Sequence, residues 1–346
     1  MVDTDLFFPP GERAMVLPNR RSPRLYLLSR DPLQRWQHAS FYPATRLRAK
    51  LYRLSVRLRA AARLASVVRV RSGNWPLGEF VEEVMPQTRS AIVLVGTHRP
   101  TRHLTAQLRD AKGQVLGYLK YAESGVARER LRQEWFMLSN LPKGIASEPV
   151  KIGPFGNGVA IVESALAGEP PPPDLPPPVD ITDLLQSLPT SPPVSLEAHP
   201  WVRLVRDGGP PQLDTFLEPL AARAWPITVH HGDFAPWNLI RLPDGTLRVI
   251  DWEYGTLEGF PHLDLAHYVL QTSALIHRKS PLAAAQTAIT YLSQHPQLDL
   301  NATEARALTC LAAYAAYRKT SEDGRKPDDG LQPWRRSIWE GAAHGL

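Results

Sequence analysis

Between residues 91 and 122 the chain alternates as strands do. AIVLVG is an apolar run, LTAQLRD alternates more loosely, and VLGYLKYA follows the turn AKGQ, which together predict a three-stranded meander. In GVARERLRQEWFMLSNL the period changes: Leu131, Trp135 and Leu138 recur at helical spacing and predict a helix with a core-facing stripe. PVKIGPFG and NGVAIVESALAGE predict two further strands around a turn. The run PPPPDLPPP, residues 170–178, fits neither a helix interior nor a central strand, because proline lacks the N–H donor. It predicts an extended polyproline spacer, a surface loop rather than an SH3-type ligand. Helices are expected over 179–188, capped near Asp180 or Thr182, over 213–224, from PHLDLAHYVLQTSALIHR, and through the Ala- and Leu-rich stretch 281–342.

The segment 45–71, TRLRAKLYRLSVRLRAAARLASVVRVR, holds nine basic residues and no acidic one. Leu47, Leu51, Leu54 and Leu58 recur at helical spacing, and Arg46, Lys50, Arg53 and Arg57 do so one position earlier, which predicts a basic amphipathic helix. Such a helix suits peripheral association with an anionic membrane surface. Packing on the smaller of the two lobes with the arginines solvated is the plainer expectation, and nucleic acid is the least favoured partner. The charge is concentrated here. Residues 1–90 carry 16 Lys or Arg against 7 Asp or Glu, a net of +9, while the remaining 256 carry 24 against 27, a net of −3.

Length and composition change the picture little. With 346 residues, 43% of them hydrophobic and 21% charged, the chain suits a globular protein of two domains or lobes. The lone Cys310, in the apolar run ALTCLAAYAAY, is expected to be a buried small hydrophobe and cannot form an internal disulfide. No signal peptide and no uninterrupted apolar stretch of membrane-spanning length is visible, so a cytoplasmic location is expected.

The chemistry concentrates in VHHGDFAPWNLIRLPDGTLRVIDWE, residues 229–253. Asp233, Asn238 and Asp251 fall there in a strand–loop–strand pattern, between ITVH (227–230) and LRVI (247–250). Phosphoryl transfer asks a protein mainly for positioning and charge neutralisation. Asp233 can accept a hydrogen bond from an attacking hydroxyl. Asn238 and Asp251 supply the hard oxygens that Mg²⁺ prefers. His230 and His231 are expected to fix the loop through backbone contacts, since no His-x-x-x-His or Cys cluster suggests zinc.

HGDFAPWN followed by IDWE resembles the motif of the aminoglycoside phosphotransferase and choline kinase family, distant relatives of protein kinases. Gly232 stands where a protein kinase has Arg, Trp252-Glu253 stand for Phe-Gly, and no A-P-E sequence follows, departures that suit small-molecule kinases. The resemblance implies an α+β, two-lobed protein-kinase-like fold, with a small antiparallel-sheet N-lobe over 90–166 and a larger, mainly helical C-lobe over 167–346. A basic helical N-terminal extension, 1–89, precedes them. It further implies that Lys120, at the end of the third strand, contacts the α- and β-phosphates, held by Glu134 (Glu129 being the alternative). The backbone of Ser164 and Leu166 would meet the adenine edge, and Asp264 would buttress the catalytic loop. In the phosphate-covering loop 96–103 only Gly96 represents the glycine-rich signature, leaving Thr97, Thr101, Arg99, Arg102 and backbone N–H groups as contacts.

These residues together predict a phosphotransferase using ATP (GTP being the alternative) and Mg²⁺ on a hydroxyl of a small molecule. A sugar, an amino-sugar, a choline-like alcohol or a cell-surface glycan precursor all suit it. Glu258, Glu322 and Asp323 are carboxylates able to meet a cationic acceptor, although a solvated surface is the plainer expectation for each. The competing expectation is a catalytically inactive kinase-like scaffold acting through its basic helix.

Overall fold

A computed structural model describes residues 2–29, 31–42, 47–71, 73–96 and 100–341. Thr97 and Arg99 of the phosphate-loop expectation, and Arg46 of the basic stripe, lie outside them, as do the side chains of residues 47–49. The chain divides into two compact units, Met1–Ser139 with Ser147–Leu166, and Asn140–Ala146 with Ala167–Leu346.

The first unit is built on an antiparallel sheet of eight strands: β1 (Arg13–Leu17), β2 (Leu25–Leu27), β3 (Ser66–Arg69), β4 (Ser90–Val95), β5 (Leu104–Arg109), β6 (Val115–Ala122), β7 (Pro149–Phe155) and β8 (Gly158–Ser164). Their order is β3-β1-β2-β4-β5-β6-β8-β7. The expected meander is β4–β6. Residues 1–89 do more than carry the basic helix, because they extend this sheet by three strands. Strand alternation sorts the side chains to two faces. Ala14, Val16, Tyr26, Val93 and Leu119 enter one core with Phe7, Phe8, Leu77 and Val81, which come from or flank α1 (Thr4–Phe7) and α4 (Pro76–Val81). Met15, Leu17, Leu25, Leu27 and Ile92 point the other way, against α3 (Leu47–Ala61) and the Ala39 that ends α2 (Pro32–His38). Further along that second face, α5 (Gly125–Asn140) places Ala127 and Leu131 on Ala122 and Ile161. The face under α5 therefore takes the even-numbered residues of β6, Lys120 among them.

The second unit is mainly helical: α6 (Val179–Gln186), α7 (Pro200–Arg206), α8 (Leu213–Leu217), α9 (Leu263–Leu275), α10 (Pro281–Gln294), α11 (Ala302–Glu322) and α12 (Gln332–Trp339). Alanines at 284, 288, 305 and 312 are buried between α9, α10 and α11, where small side chains let helix axes approach closely. Cys310 is buried among them, and its thiol is pushed up to about 12 by burial, so it is an inert hydrophobe. Two expectations need correction. The helix expected over 213–224 stops at Leu217 and tightens to a single 3-10 turn, Glu218–Leu220, because Pro219 has no N–H to continue the ladder. The N-cap of α6 is Pro178, without a side-chain bond; Asp180 instead pairs with Arg241 at 2.7 Å. The proline run forms no helix and no strand, and among the described residues no helix is long and apolar enough to cross a membrane.

Two short antiparallel pairs carry the segment 228–259. One joins β9 (Thr228–His230) to β12 (Thr256–Gly259), the other β10 (Leu239–Arg241) to β11 (Leu247–Val249).

Candidate active site

In the second unit, the β10–β11 hairpin explains the spacing of Asn238 and Asp251. Leu239 pairs with Val249, and Ile250 N–H donates to the Asn238 carbonyl at 2.9 Å, so Asn238 enters the hairpin where Asp251 leaves it. The turn between the strands is closed by Asp244, whose Oδ1 accepts from Thr246 N–H at 2.9 Å and Thr246 Oγ at 2.7 Å. Asn238 is buried and donates Nδ2 to the Asp233 carbonyl at 2.8 Å and, more weakly, to Asp233 Oδ2 at 3.4 Å. That use of the amide nitrogen leaves Oδ1 as the group able to meet a cation. Asp251 sits at φ +70°, a left-handed conformation that Asp tolerates better than most residues and that collects at functional sites. Trp252 beside it is fully buried, donating Nε1 to the Val249 carbonyl at 3.0 Å and meeting His231 edge-on at 4.7 Å.

His231 ties the loop to the strand end. Its Nε2 lies 2.9 Å from the Ile250 carbonyl, and its Nδ1 accepts the Asp233 backbone N–H at 3.1 Å. Only a neutral ring with the proton on Nε2 satisfies both contacts. Burial pushes its pKa down, in agreement. Asp264, in the first turn of α9, holds the same loop from the other side. Its two oxygens accept from His231 N–H at 2.6 Å and Gly232 N–H at 2.9 Å, and His230 Nε2 approaches Oδ1 at 3.1 Å. Burial alone would raise this carboxyl, but the charge and hydrogen bond of His230, together with His231, hold it well below the usual carboxylate range.

Gly232 has a steric reason to replace arginine. Its φ is +79°, and a Cβ there would stand 2.6 Å from the Tyr254 carbonyl and 3.1 Å from Lys319 Nζ. The room it leaves is used by Lys319 of α11, which donates to the Gly232 carbonyl and lies 4.1 Å over the Tyr254 ring.

The Asp233 carboxylate is aimed by two groups. His267, buried on α9, places Nε2 3.2 Å from Oδ1, while Asn238 meets Oδ2. A carboxylate can only accept, so the His267 proton is on Nε2. Burial lowers the His267 pKa, which keeps the ring neutral near pH 7. Burial works to raise Asp233, but the His267 hydrogen bond and the nearby Lys319 charge outweigh it and hold the carboxyl at about 2. Its side chain is still a third exposed. Asp233 is thus an ionised, oriented hydrogen-bond acceptor that an incoming hydroxyl can reach.

The first unit carries a second constellation. Lys120 on β6 is paired with Ile161 of β8 across the sheet. Its Nζ lies 2.5 Å from Glu134 Oε1 of α5 and 3.5 Å from Glu163 Oε1, with all three side chains buried. Glu163 also accepts from the Ser147 hydroxyl. Glu129, the alternative partner, instead pairs with Arg132 on the helix surface. Removing one member of a buried pair strands the other charge, at about 3–5 kcal/mol. Lys120→Met is therefore expected to lower the melting temperature clearly, which a thermal unfolding scan checks.

Ser164 is engaged with Glu148, both through its N–H to the Glu148 carbonyl and through its Oγ from the Glu148 N–H, each at 2.9 Å. Leu166 lies beyond the end of β8, half-buried. In the loop after β4, Gly96 N–H meets the His103 carbonyl at 3.1 Å, which a Cβ would approach to 2.7 Å. The carboxylates proposed for a cationic acceptor are spread out: Asp323 is buried and bonded to the Tyr254 hydroxyl, Glu322 pairs with Arg318 at 2.8 Å, and Glu258 is exposed.

Among the described residues no cluster of three or more His, Cys, Asp or Glu could cage a metal. An amide oxygen and a carboxylate alone fit Mg²⁺, which takes few protein ligands and completes its shell with water and phosphate oxygens.

Residues 172–308 match the model of the phosphotransferase enzyme family. That stretch of the larger unit is similar to the family. The match spans Asp233, Asn238, Asp251 and Asp264, and the resemblance to aminoglycoside phosphotransferases and choline kinases holds there. A search of curated proteins returned no relative of this chain. Among solved structures, the Plasmodium vivax ethanolamine kinase Pv091845 is 13% identical, with 80% of this chain and 90% of that one covered and a TM-score of 0.44. The choline kinase LicA from Streptococcus pneumoniae is 14% identical, with 78% and 96% covered and a TM-score of 0.39. The bifunctional kinase-methyltransferase WbdD is 13% identical with a TM-score of 0.30, and 70% of this chain covers 47% of it. At these scores the likenesses carry no argument about substrate.

His267, Lys319 and Glu163 are the site residues that sequence reasoning missed. His267 had a signal, since it follows Asp264 by three residues and so shares its helix face. Glu163 had a weaker one, falling two residues after Ile161 on the same strand face. Lys319 had none.

Proposed function

We propose that this protein is an ATP- and Mg²⁺-dependent phosphotransferase acting on a hydroxyl of a small molecule. The observation that carries the reading is the clasped loop: Asp233, ionised and aimed, with Asn238 and Asp251 brought together by one hairpin. Asp233 accepts the hydroxyl proton as the acceptor oxygen bonds to the terminal phosphorus and the bond to the leaving diphosphate breaks. Asn238 and Asp251 are the residues to hold Mg²⁺, which supplies charge neutralisation on the phosphate oxygens. Lys120, gripped by Glu134 and Glu163, is assigned to the α- and β-phosphates. Of the two adenine-edge positions, Leu166 is the better, because Ser164 is engaged with Glu148. The acceptor is a sugar, amino-sugar, choline-like alcohol or glycan precursor. The reading includes a cytoplasmic setting.

Calorimetric titration of ATP with and without Mg²⁺ into the wild type and Asp251→Ala tests the nucleotide site. Metal-dependent binding that the variant loses is the expected result. Absence of binding to the wild type, with GTP also tried, moves the reading to the inactive scaffold.

A further inference from the structure

The amphipathic helix α3 has its leucine face turned outward. Val56 and Ala60 are completely buried against Met15, Leu17, Leu25, Leu27 and Ile92. Leu54 and Leu58 each precede one of them by two residues, about 200° round a helix of 3.6 residues per turn. They are accordingly exposed, at 43% and 56%, and Leu51 on the same stripe is 60% exposed.

The helix is not free to roll this stripe inward. Arg35, itself buried, donates Nε to the Ala60 carbonyl and Nη2 to the Ala61 carbonyl, both at 2.8 Å. Those bonds occupy carbonyls that a helix C-terminus leaves open. Arg57 donates Nε to the Trp36 carbonyl at 3.1 Å and stacks its guanidinium 4.0 Å over the Trp36 ring. The inner face is thus closed by small apolar residues and two arginine anchors. The larger apolar residues face solvent.

The edges of the exposed stripe are basic. Lys50 lies on one side of the leucines and Arg59 on the other, both exposed, and Leu64 follows just past the helix at 69% exposure. An apolar centre flanked by cations is the profile of a helix lying in a bilayer interface, with leucines entering the acyl boundary and the cations meeting anionic headgroups. A second copy of the chain would bring the same positive edge against this one, because residues 45–71 contain no acid. Nucleic acid would satisfy the arginines and leave the leucines in water.

We propose that the outward face of α3, centred on Leu51, Leu54 and Leu58, docks the protein on an anionic lipid bilayer. This stands apart from the phosphotransferase reading, since ATP titration and vesicle binding fail independently of each other. The test is co-sedimentation of the full chain with phosphatidylcholine vesicles containing phosphatidylserine, and with phosphatidylcholine alone. The wild type is expected to sediment with the anionic vesicles, and less as salt rises. The triple variant Leu51→Ser, Leu54→Ser, Leu58→Ser is expected to bind ~10-fold or more weakly while melting as the wild type does, because these side chains support no core. Lys50→Glu with Arg59→Glu is expected to remove the preference for the anionic vesicles.

Equal sedimentation of the wild type and the triple variant overturns the proposal. So does failure of the wild type to bind anionic vesicles, whether the leucines then prove to mediate a concentration-dependent dimer or the arginines a salt-sensitive nucleic-acid complex.

Discussion

Asp233→Ala will lose phosphoryl transfer, with kcat falling by ~10²–10⁴-fold, the usual contribution of a positioned proton acceptor. ATP binding will stay close to that of the wild type. Asp233 is assigned no metal or phosphate contact, and truncating a side chain that is a third exposed leaves no buried cavity. Its partner His267 is kept neutral by burial, so the substitution strands no charge. Asp233→Asn makes a sharper control, because it keeps the shape and an oxygen for His267 but cannot take a proton. Single-turnover transfer to a responsive acceptor, alongside ATP calorimetry, reads both halves. Near-normal transfer by either variant would remove Asp233 from the mechanism.

Asp264→Ala will destabilise the second unit and disorder the loop that carries Asp233. The substitution removes the acceptor for the buried His231 and Gly232 N–H groups and the partner of His230 in one step. Breaking a buried, hydrogen-bonded pair costs about 3–5 kcal/mol. That is a large part of the ~5–15 kcal/mol typical of a folded domain. Denaturant unfolding will show the loss as a lower midpoint, and activity will fall with it. Asp264→Asn, retaining one acceptor oxygen, will fall between.

The pH dependence of stability has a definite sign. The Asp264 carboxyl is depressed in the folded state relative to ~3.9 in an unfolded chain. Its contribution is therefore complete above that value and is lost as pH falls through the usual carboxylate range toward the folded pKa. Below about pH 4 the wild type should lose stability more steeply than Asp264→Asn. Parallel acid limbs for the two would show that His230 and the loop N–H groups do not hold this carboxylate ionised.

How much of this was legible follows from sequence distance. Asn238 and Asp251 lie at the two ends of one short hairpin, so local strand pairing forces them together and their spacing is itself a signal. Asp233 precedes Asn238 by five residues and contacts it directly. The Lys120–Glu134 pair is likewise a strand and the helix that immediately follows it. Within such short stretches the backbone has few ways to go, and residue type with period specifies the geometry. The sequence by itself thus determined that Asp233, Asn238 and Asp251 share one loop and hairpin and that Lys120 meets Glu134, together with the sheet meander and the helical character of the larger unit. Asp264 and the two histidines were expected as supports, but only tertiary structure decided their partners and added His267 and Lys319. Lys319 reaches the Gly232 carbonyl from α11, and Asp264 and His267 reach the loop from α9, because a distant helix has docked there. The outcome for α3 has the same physical reason. Periodicity shows that a helix has a leucine face and a small apolar face, but burial is a contest between them for one sheet. Val56 and Ala60 fit close to the strands while Arg35 and Arg57 anchor the C-terminal part of the helix, which leaves the leucines outside.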